Sequence, residues 1–313
     1  MKNNIIKIIV LFLIFALMTT SCMKNEENVN SKDEITIVAS LFPQYDFAKT
    51  IAGDRAKVLL LTPPGVDTHS FEPSPGDIIN IENSDVFIYT GKYMEPWAET
   101  LLASTESTKL LTVDVSKGVE LDKEHHEHDE EADHGHHHEY DPHIWTNPVF
   151  AKKMVQNITD ALVEVDPVGK DIYIENSNKL IEEIEKINQG FIKAVSEGQR
   201  KDIFFGSRFA LHYLVKEYGL HAHSVFNSCS EETEPSVASM TEIVEAVKSQ
   251  SIPVIFYQEL EEPKVALTIA EETGAEPLLF HSAHNVSKDD FNNGISWVKL
   301  MEDNIENLKK ALN

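Results

Sequence analysis

At 313 residues the chain has room for two α/β lobes, since domains usually run to about 100–200 residues. Its formal net charge of −25 becomes −27 once residues 1–21, with their two lysines and no acid, are set aside. Such a balance excludes nucleic acid as a natural partner, because phosphate backbones are bound by lysine and arginine; it draws cations toward the surface, or does no more than keep the protein in solution.

Lys2 and Lys7 precede an apolar run from Ile8 to Met18, and small residues then lead to Cys22. This pattern reads as a secretory signal over 1–21, not a membrane span, which needs about 20 apolar residues. The stretch TTSC (19–22) resembles the lipobox at which bacterial lipoproteins are cleaved and acylated, with Thr19 where that pattern usually has Leu. Cys22 is therefore the expected lipid attachment point, which holds the mature protein at the outer face of the cytoplasmic membrane; plain secretion, with a periplasmic protein, is the alternative. Cys229 is then left with no disulfide partner despite an export route that would permit one. Residues 22–34, rich in Asn and Glu, have the low apolar content of a flexible tether.

From residue 35 onward, strands and helices alternate. Apolar, β-branched runs predict buried parallel strands at 35–40, 57–63, 85–91 and 110–116, and again at 202–207, 221–226, 253–259 and 277–282. Helices are predicted at 209–218, 236–249, 263–273 and 289–312, with Gly219 and Gly274 at ends where capping favours glycine. Between the halves, 166–198 places Ile172, Leu180, Ile184, Ile187 and Phe191 near helical spacing, which predicts one long connecting helix. The expected fold is α/β: an N-terminal lobe (35–165) and a C-terminal lobe (199–313), each with a roughly four-stranded, mainly parallel sheet. A rigid rod between them would permit less opening than two flexible hinge strands.

The run EHHEHDEEADHGHHHE (124–139) interrupts the first lobe with His125, His126, His128, His134, His136, His137 and His138 among acids. It has too few apolar side chains to join a core. Neutral imidazole is a common zinc ligand, so the tract offers many weak, exchangeable sites, although composition alone also fits an unselective polar loop.

A tighter site belongs where strands give way to loops, because ligands of open parallel sheets bind beyond the carboxyl ends of the strands. Four places qualify. His69 lies in TPPGVDTHSFEPSP (62–75), directly after the second strand, in a loop stiffened by prolines. His143 lies in DPHIWTNP (141–148), where Asp141 can orient a ring nitrogen and Pro148 begins a helix. The segment FGSRFALHYLVKEYGL (205–220) follows the fifth strand, and LLFHSAHNVS (278–287) carries His281 and His284 just past the last.

The GVDTHSFEPSP loop, the DPHIWTNP motif behind a His-rich insertion, the YGL at 218–220 and the EPS at 234–236 together resemble the zinc and manganese solute-binding lipoproteins of bacterial ABC importers. The resemblance spans essentially the whole mature chain. It implies two α/β lobes bridged by a long helix, with one metal ion in the cleft. His69 and His143 match the two histidines of the first lobe. In the second lobe the family places a His or Glu near the start of the helix ending in YGL, where this chain has Arg208, which stays protonated and cannot ligate. The family's last carboxylate ligand falls at or near His284, which leaves His281 open, and both turning inward would replace the missing group. His212, one helical turn after Arg208, is a further candidate. Glu234 and Glu259 could accept hydrogen bonds from ligand histidines.

Imidazole-rich sites suit zinc, and manganese, the alternative, prefers more carboxylate oxygen. The expected partners are the membrane permease of an ABC importer and, through the lipid, the membrane itself, with the chain acting as a monomer. A metalloenzyme would carry a ligand set such as HExxH with its general base. The nearest approach is His138, Glu139 and His143, where Pro142 forbids the regular helix that motif needs. A surface adhesin is the remaining alternative; it would present an exposed apolar patch.

Overall fold

The computed structural model describes residues 34–105, 107, 109–123, 139–226, 235–260 and 262–313. Short runs of apolar and β-branched residues form two parallel sheets. The first joins β1 (Ile35–Ala39), β2 (Ala56–Leu60), β3 (Val86–Tyr89) and β4 (Leu111–Asp114) in the order β2-β1-β3-β4. The second repeats the plan with β5 (Asp202–Phe205), β6 (His221–Ser224), β7 (Val254–Tyr257) and β8 (Glu276–Leu279) in the order β6-β5-β7-β8. Every neighbouring pair is parallel. In each sheet the chain steps outward in opposite directions from the first strand, so each has one switch point, and crevices at switch points open at the carboxyl ends of the strands.

Helices cover the sheets: α1 (Phe42–Ala52), α2 (Pro75–Glu82), α3 (Pro96–Ser104) and α4 (Pro148–Val165) in the first lobe. Proline opens α2, α3 and α4, where its missing N–H costs nothing and its fixed φ suits the first turn. After the long helix α5 (Lys170–Glu197), the second lobe adds α6 (His212–Tyr218), α7 (Val237–Ser249), α8 (Lys264–Thr273), α9 (Lys288–Asn292) and α10 (Trp297–Leu312). Gly219 and Gly274 end α6 and α8 at φ of 62° and 81°, a left-handed conformation that a Cβ would strain.

Helix α5 has 28 residues, about 42 Å at 1.5 Å per residue. Its buried face is Tyr173, Ser177, Leu180, Ile184, Ile187, Phe191 and Ala194, alternating steps of three and four. That face packs on α1 and α4 of the first lobe and on α10 of the second, so the rod lies within the core of both. The sequence reading placed Ile172 on this face. Ile172 is 44% exposed, and Tyr173 takes the inward position, its hydroxyl donating to Asp166, which also pairs with Arg55.

Two other boundaries differ from the sequence reading. The expected helix 209–218 begins only at His212: Phe209 instead turns edge-on to Phe205, and Ala210 and Leu211 are buried, so these residues pack rather than form a first helical turn. Arg208 therefore sits in a loop and does not share a helix face with His212. The expected helix 289–312 is broken between Asn292 and Trp297, with Gly294 at φ 72°; Ser296 then restarts it by accepting from the Lys299 N–H.

One continuous apolar core runs through both lobes. Polar ties reinforce it where they face each other. The fully buried Asn285 donates from Nδ2 to the carbonyls of Pro63 (2.8 Å) and Val66 (2.9 Å), and Gly65 N donates to Val286 O (2.9 Å). Trp145 Nε1 donates to Ser282 O (2.9 Å), and the Tyr213 hydroxyl donates to Asp141 O (2.7 Å).

Candidate metal centre

Three loops at the carboxyl ends of the strands each project one imidazole into the cleft. His69 follows β2, His143 precedes a short 3-10 turn (Ile144–Thr146), and His284 follows β8. A polar residue stands two positions before each. Asp67 Oδ1 accepts from His69 N (2.9 Å), Asp141 Oδ1 from His143 N (2.8 Å), and Ser282 Oγ from His284 N (3.4 Å). These small side-chain turns set each backbone before the ring is placed. Ala283 completes the third loop at φ 59°, rare for a residue with a Cβ and of the kind that clusters at functional sites.

The rings meet at their Nε2 atoms. His69 Nε2 lies 3.2 Å from His284 Nε2 and 3.3 Å from His143 Nε2, and ligand atoms of all three fall within 4.8 Å of one another. A tetrahedral zinc centre with Zn–N bonds of about 2.0–2.1 Å has its nitrogens about 3.3–3.4 Å apart. Both spacings to His69 fit edges of such a tetrahedron, and the remaining pair lies within 4.8 Å.

The remaining nitrogens decide which tautomer faces inward. His143 Nδ1 lies 2.8 Å from Asp141 Oδ1, so it carries the proton and Nε2 keeps its lone pair for a cation. His284 Nδ1 lies 2.5 Å from Ser282 Oγ, whose own proton goes to Glu259 Oε1 (2.5 Å); Glu259 Oε2 accepts from Ser282 N (2.8 Å). Ser282 thus relays a carboxylate to His284 and leaves its Nε2 unprotonated. Burial pushes the His284 pKa well below the ordinary imidazole value, and repulsion from His143, His69, His281 and Arg208 adds to it. Burial works to raise the Asp141 carboxyl, but attraction and hydrogen bonds from His143 outweigh it and hold it below the usual range. The centre therefore offers three imidazole nitrogens with Asp141 and, through Ser282, Glu259 behind two of them, a donor set that fits zinc. Trp145, fully buried, closes the floor with ring centroids 5.4 Å from His143 and 5.0 Å from His284.

A family described as zinc-uptake complex component A, periplasmic (ZnuA) matches residues 37–311. The chain belongs to the ZnuA family. Over 304 residues it is 33% identical to the high-affinity zinc uptake system protein ZnuA of Bacillus subtilis (strain 168), covering 96% of this chain and 94% of that protein. It is 31% identical over 302 residues to the zinc-binding lipoprotein AdcA of Streptococcus pneumoniae (strain ATCC BAA-255 / R6), covering 95% of this chain and 59% of AdcA, so it spans only part of that longer relative. The crystal structure of the Zn(II)-bound ZnuA-like domain of Streptococcus pneumoniae AdcA superposes with a TM-score of 0.75 at 28% identity, over 89% of this chain and 99% of that one. The ZnuA family is one of transport components.

The ZnuA-type frame places the other expected residues as follows. His281 is buried but does not join the three rings: its Nδ1 accepts from Ala283 N (2.9 Å), and its backbone is held on both sides by Asn304. His212 also stands apart from them, its Nε2 3.0 Å from Asp122 Oδ2. Glu259 reaches His284 only through Ser282 and lies 3.5 Å from His281 Nδ1. Glu234, the seven histidines of the 124–139 insertion, Cys22 and Cys229 lie outside the described residues. The insertion's ends are tied: Lys123 and Tyr140 form an antiparallel bridge, and Asp141 N donates to Asp122 O (2.9 Å).

Ser282, Ala283, Asn285 and Asp67 were not singled out in the sequence. The repeated spacing Asp-x-His, Asp-x-His, Ser-x-His was the signal available for two of them. Gly206 was missed too: a Cβ there would come 2.5 Å from the Ala266 backbone, so this glycine lets β5 and α8 approach beneath the Arg208 loop.

Proposed function

We propose that this protein captures zinc outside the cytoplasm and delivers it to the permease of an ABC-type importer, acting as a monomer held to the membrane by lipid on Cys22. The reading assigns His69, His143 and His284 as ligands and Asp141 and Ser282–Glu259 as the groups that orient them. The observation that carries it is the convergence of three imidazoles from loops far apart in sequence, with His69 Nε2 at 3.2 Å and 3.3 Å from the other two and all ligand atoms within 4.8 Å. Membership of the ZnuA family and the zinc named for its relatives support the same assignment. Three imidazole nitrogens favour zinc over manganese. No catalytic step enters the reading, since a carrier needs its metal enclosed and a hydrolase needs a bound water activated.

The first lobe carries two ligands and the second carries one, so cation binding and lobe packing are linked. The His-rich insertion serves as a weak antechamber and the cleft as the tight site. Isothermal calorimetry with elemental analysis tests the reading: wild type should bind zinc with one tight site, and His69→Ala, which removes one corner of the centre, should lose it. A His69→Ala protein with wild-type zinc affinity would refute the assignment.

A further inference from the structure

Away from the cleft, strand β6 has the sequence HAHS, and the zinc-carrier reading gives its two histidines no role. β6 stands at the end of the second sheet, with β5 as its parallel neighbour. Successive side chains of a strand point to opposite faces, so His221 and His223 share one face, with Cα atoms about 6.6 Å apart. The register sets Asp202 of β5 directly opposite His221, and Phe204 opposite His223. The backbone itself therefore brings two imidazoles and a carboxylate onto one patch of one sheet edge.

The side chains act as one group. Asp202 Oδ1 lies 2.8 Å from His223 Nε2 and 3.7 Å from His221 Nδ1. The fully buried Phe204 stacks on the His223 ring, with centroids 4.6 Å apart and 19° between planes, and so holds that ring flat against the sheet. The side chains of His221, His223 and Asp202 are 68%, 42% and 38% exposed, which leaves the group open to ions and water. Among the described residues Asp202 pairs with these imidazoles and with no lysine or arginine, so its charge faces metal-ligating groups and not a fixed cation. Asp202 and His221 are the first residues of β5 and β6, whereas His284 follows the carboxyl end of β8 in the same parallel sheet; the group thus lies at the end of the sheet opposite the cleft.

We propose that His221, His223 and Asp202 form a second, exchangeable site for a divalent transition metal such as zinc, on the edge of the second lobe and independent of the cleft. Two imidazole nitrogens and one carboxylate oxygen suit such an ion, and exposure lets water fill its remaining positions. The group is looser than the cleft's, where all ligand atoms fall within 4.8 Å, because here the two rings meet only through Asp202 Oδ1. The cation replaces the hydrogen bond between His223 Nε2 and Asp202, the ring proton passing to Nδ1. His221, the most exposed of the three, then turns about its side-chain bonds to bring in its own nitrogen. A site of this kind binds more weakly than one built on locked side chains, as suits exchange.

The probe is zinc alone, added to the full chain while nitrogen–proton NMR spectra of the histidine rings are recorded. The His221 and His223 rings should shift together over one range of zinc concentration, above that at which the cleft rings respond. His223→Gln should abolish the His221 response, Asp202→Asn should move both responses to higher zinc, and His69→Ala, which removes a cleft ligand, should leave them in place. Should His223→Gln unfold the strand, His221→Gln, at the more exposed position, serves instead, and the His223 ring should then cease to respond. Rings that stay unmoved while the histidines of the 124–139 insertion titrate, a response of one ring that survives loss of the other, an unaltered titration in D202N, or a response lost in His69→Ala overturns the proposal. Failure of the cleft reading looks different: the His69, His143 and His284 rings would then ignore the first equivalent of zinc, whatever β6 does.

Discussion

Replacing Asp141 by Asn tests how the centre is held together without touching a ligand. Asp141 Oδ1 receives the backbone N–H of His143 at 2.8 Å and faces its ring Nδ1 at 2.8 Å. An amide oxygen can still serve the backbone. The side chain can no longer offer an anion to the ring, and an amide turned the other way would donate to Nδ1 and force the proton onto Nε2, the atom that must bind metal. Residues that orient a metal-bound histidine contribute about 10–100-fold in affinity, or about 1.4–2.7 kcal/mol. The fold should survive, because the Tyr213 hydroxyl bonds the Asp141 backbone carbonyl, which the substitution leaves in place. Competition against a chromogenic zinc chelator at neutral pH, with thermal unfolding of the metal-free protein as control, provides the assay. An affinity equal to wild type in a protein of unchanged stability would show that the carboxylate does not set the ring's tautomer.

Other outcomes follow from single contacts. Asn285→Ala removes the buried donor that ties the Pro63 and Val66 carbonyls, two hydrogen bonds that together should contribute about 1–3 kcal/mol at about 0.5–1.5 kcal/mol each. Calorimetric unfolding should register it together with weaker zinc binding, since those carbonyls belong to the loop that presents His69; an unaltered melting temperature would remove this tie from the account. Glu95, buried and accepting from Ser40 Oγ, Thr90 N and Gly91 N, has its carboxyl pushed up by burial to about 8. Its folded-state pKa exceeds the unfolded one, so its contribution to stability is complete below the ordinary value of 4.5 and is lost as pH rises toward about 8. Urea unfolding of Glu95→Gln across that window should show a flatter pH dependence than wild type, and identical profiles would contradict this. Zinc should be released as pH falls below about 6.5, where protons compete for the imidazoles, and burial should make His284 the ring that resists longest. Equilibrium dialysis giving a constant affinity across that range would count against an imidazole centre.

Most of the eight strands were legible because each is a short apolar, often β-branched or aromatic, run, and such runs pair into buried parallel sheets; β6 (His221–Ser224) and β8 (Glu276–Leu279) are the polar or partly exposed exceptions. His69 was legible because prolines stiffen its loop directly after a strand, and His143 because Asp141 stands two positions before it, and the resemblance matched both to the first lobe's histidines. The second lobe was not resolved by that route. Sequence offered His281 and His284 three positions apart, the resemblance pointing at or near His284 and leaving His281 open, and the structure chooses through backbone conformation. Ala283 in the left-handed region turns His284 toward the cleft, while Asn304, on the last helix, holds the His281 backbone from both sides.

The sequence alone determined the two-sheet α/β plan, the connecting helix and the metal-binding character, since these rest on local periodicity and on the chemistry of imidazole. Only tertiary structure decided which histidines meet, that Arg208 stands in a loop beside them, and that Asn285 and Trp145 tie the lobes across the site. The physical reason is range. Periodicity acts over a few residues, whereas the separation of His69 from His284, 215 positions apart in the chain, is set by how two complete cores pack along one helix.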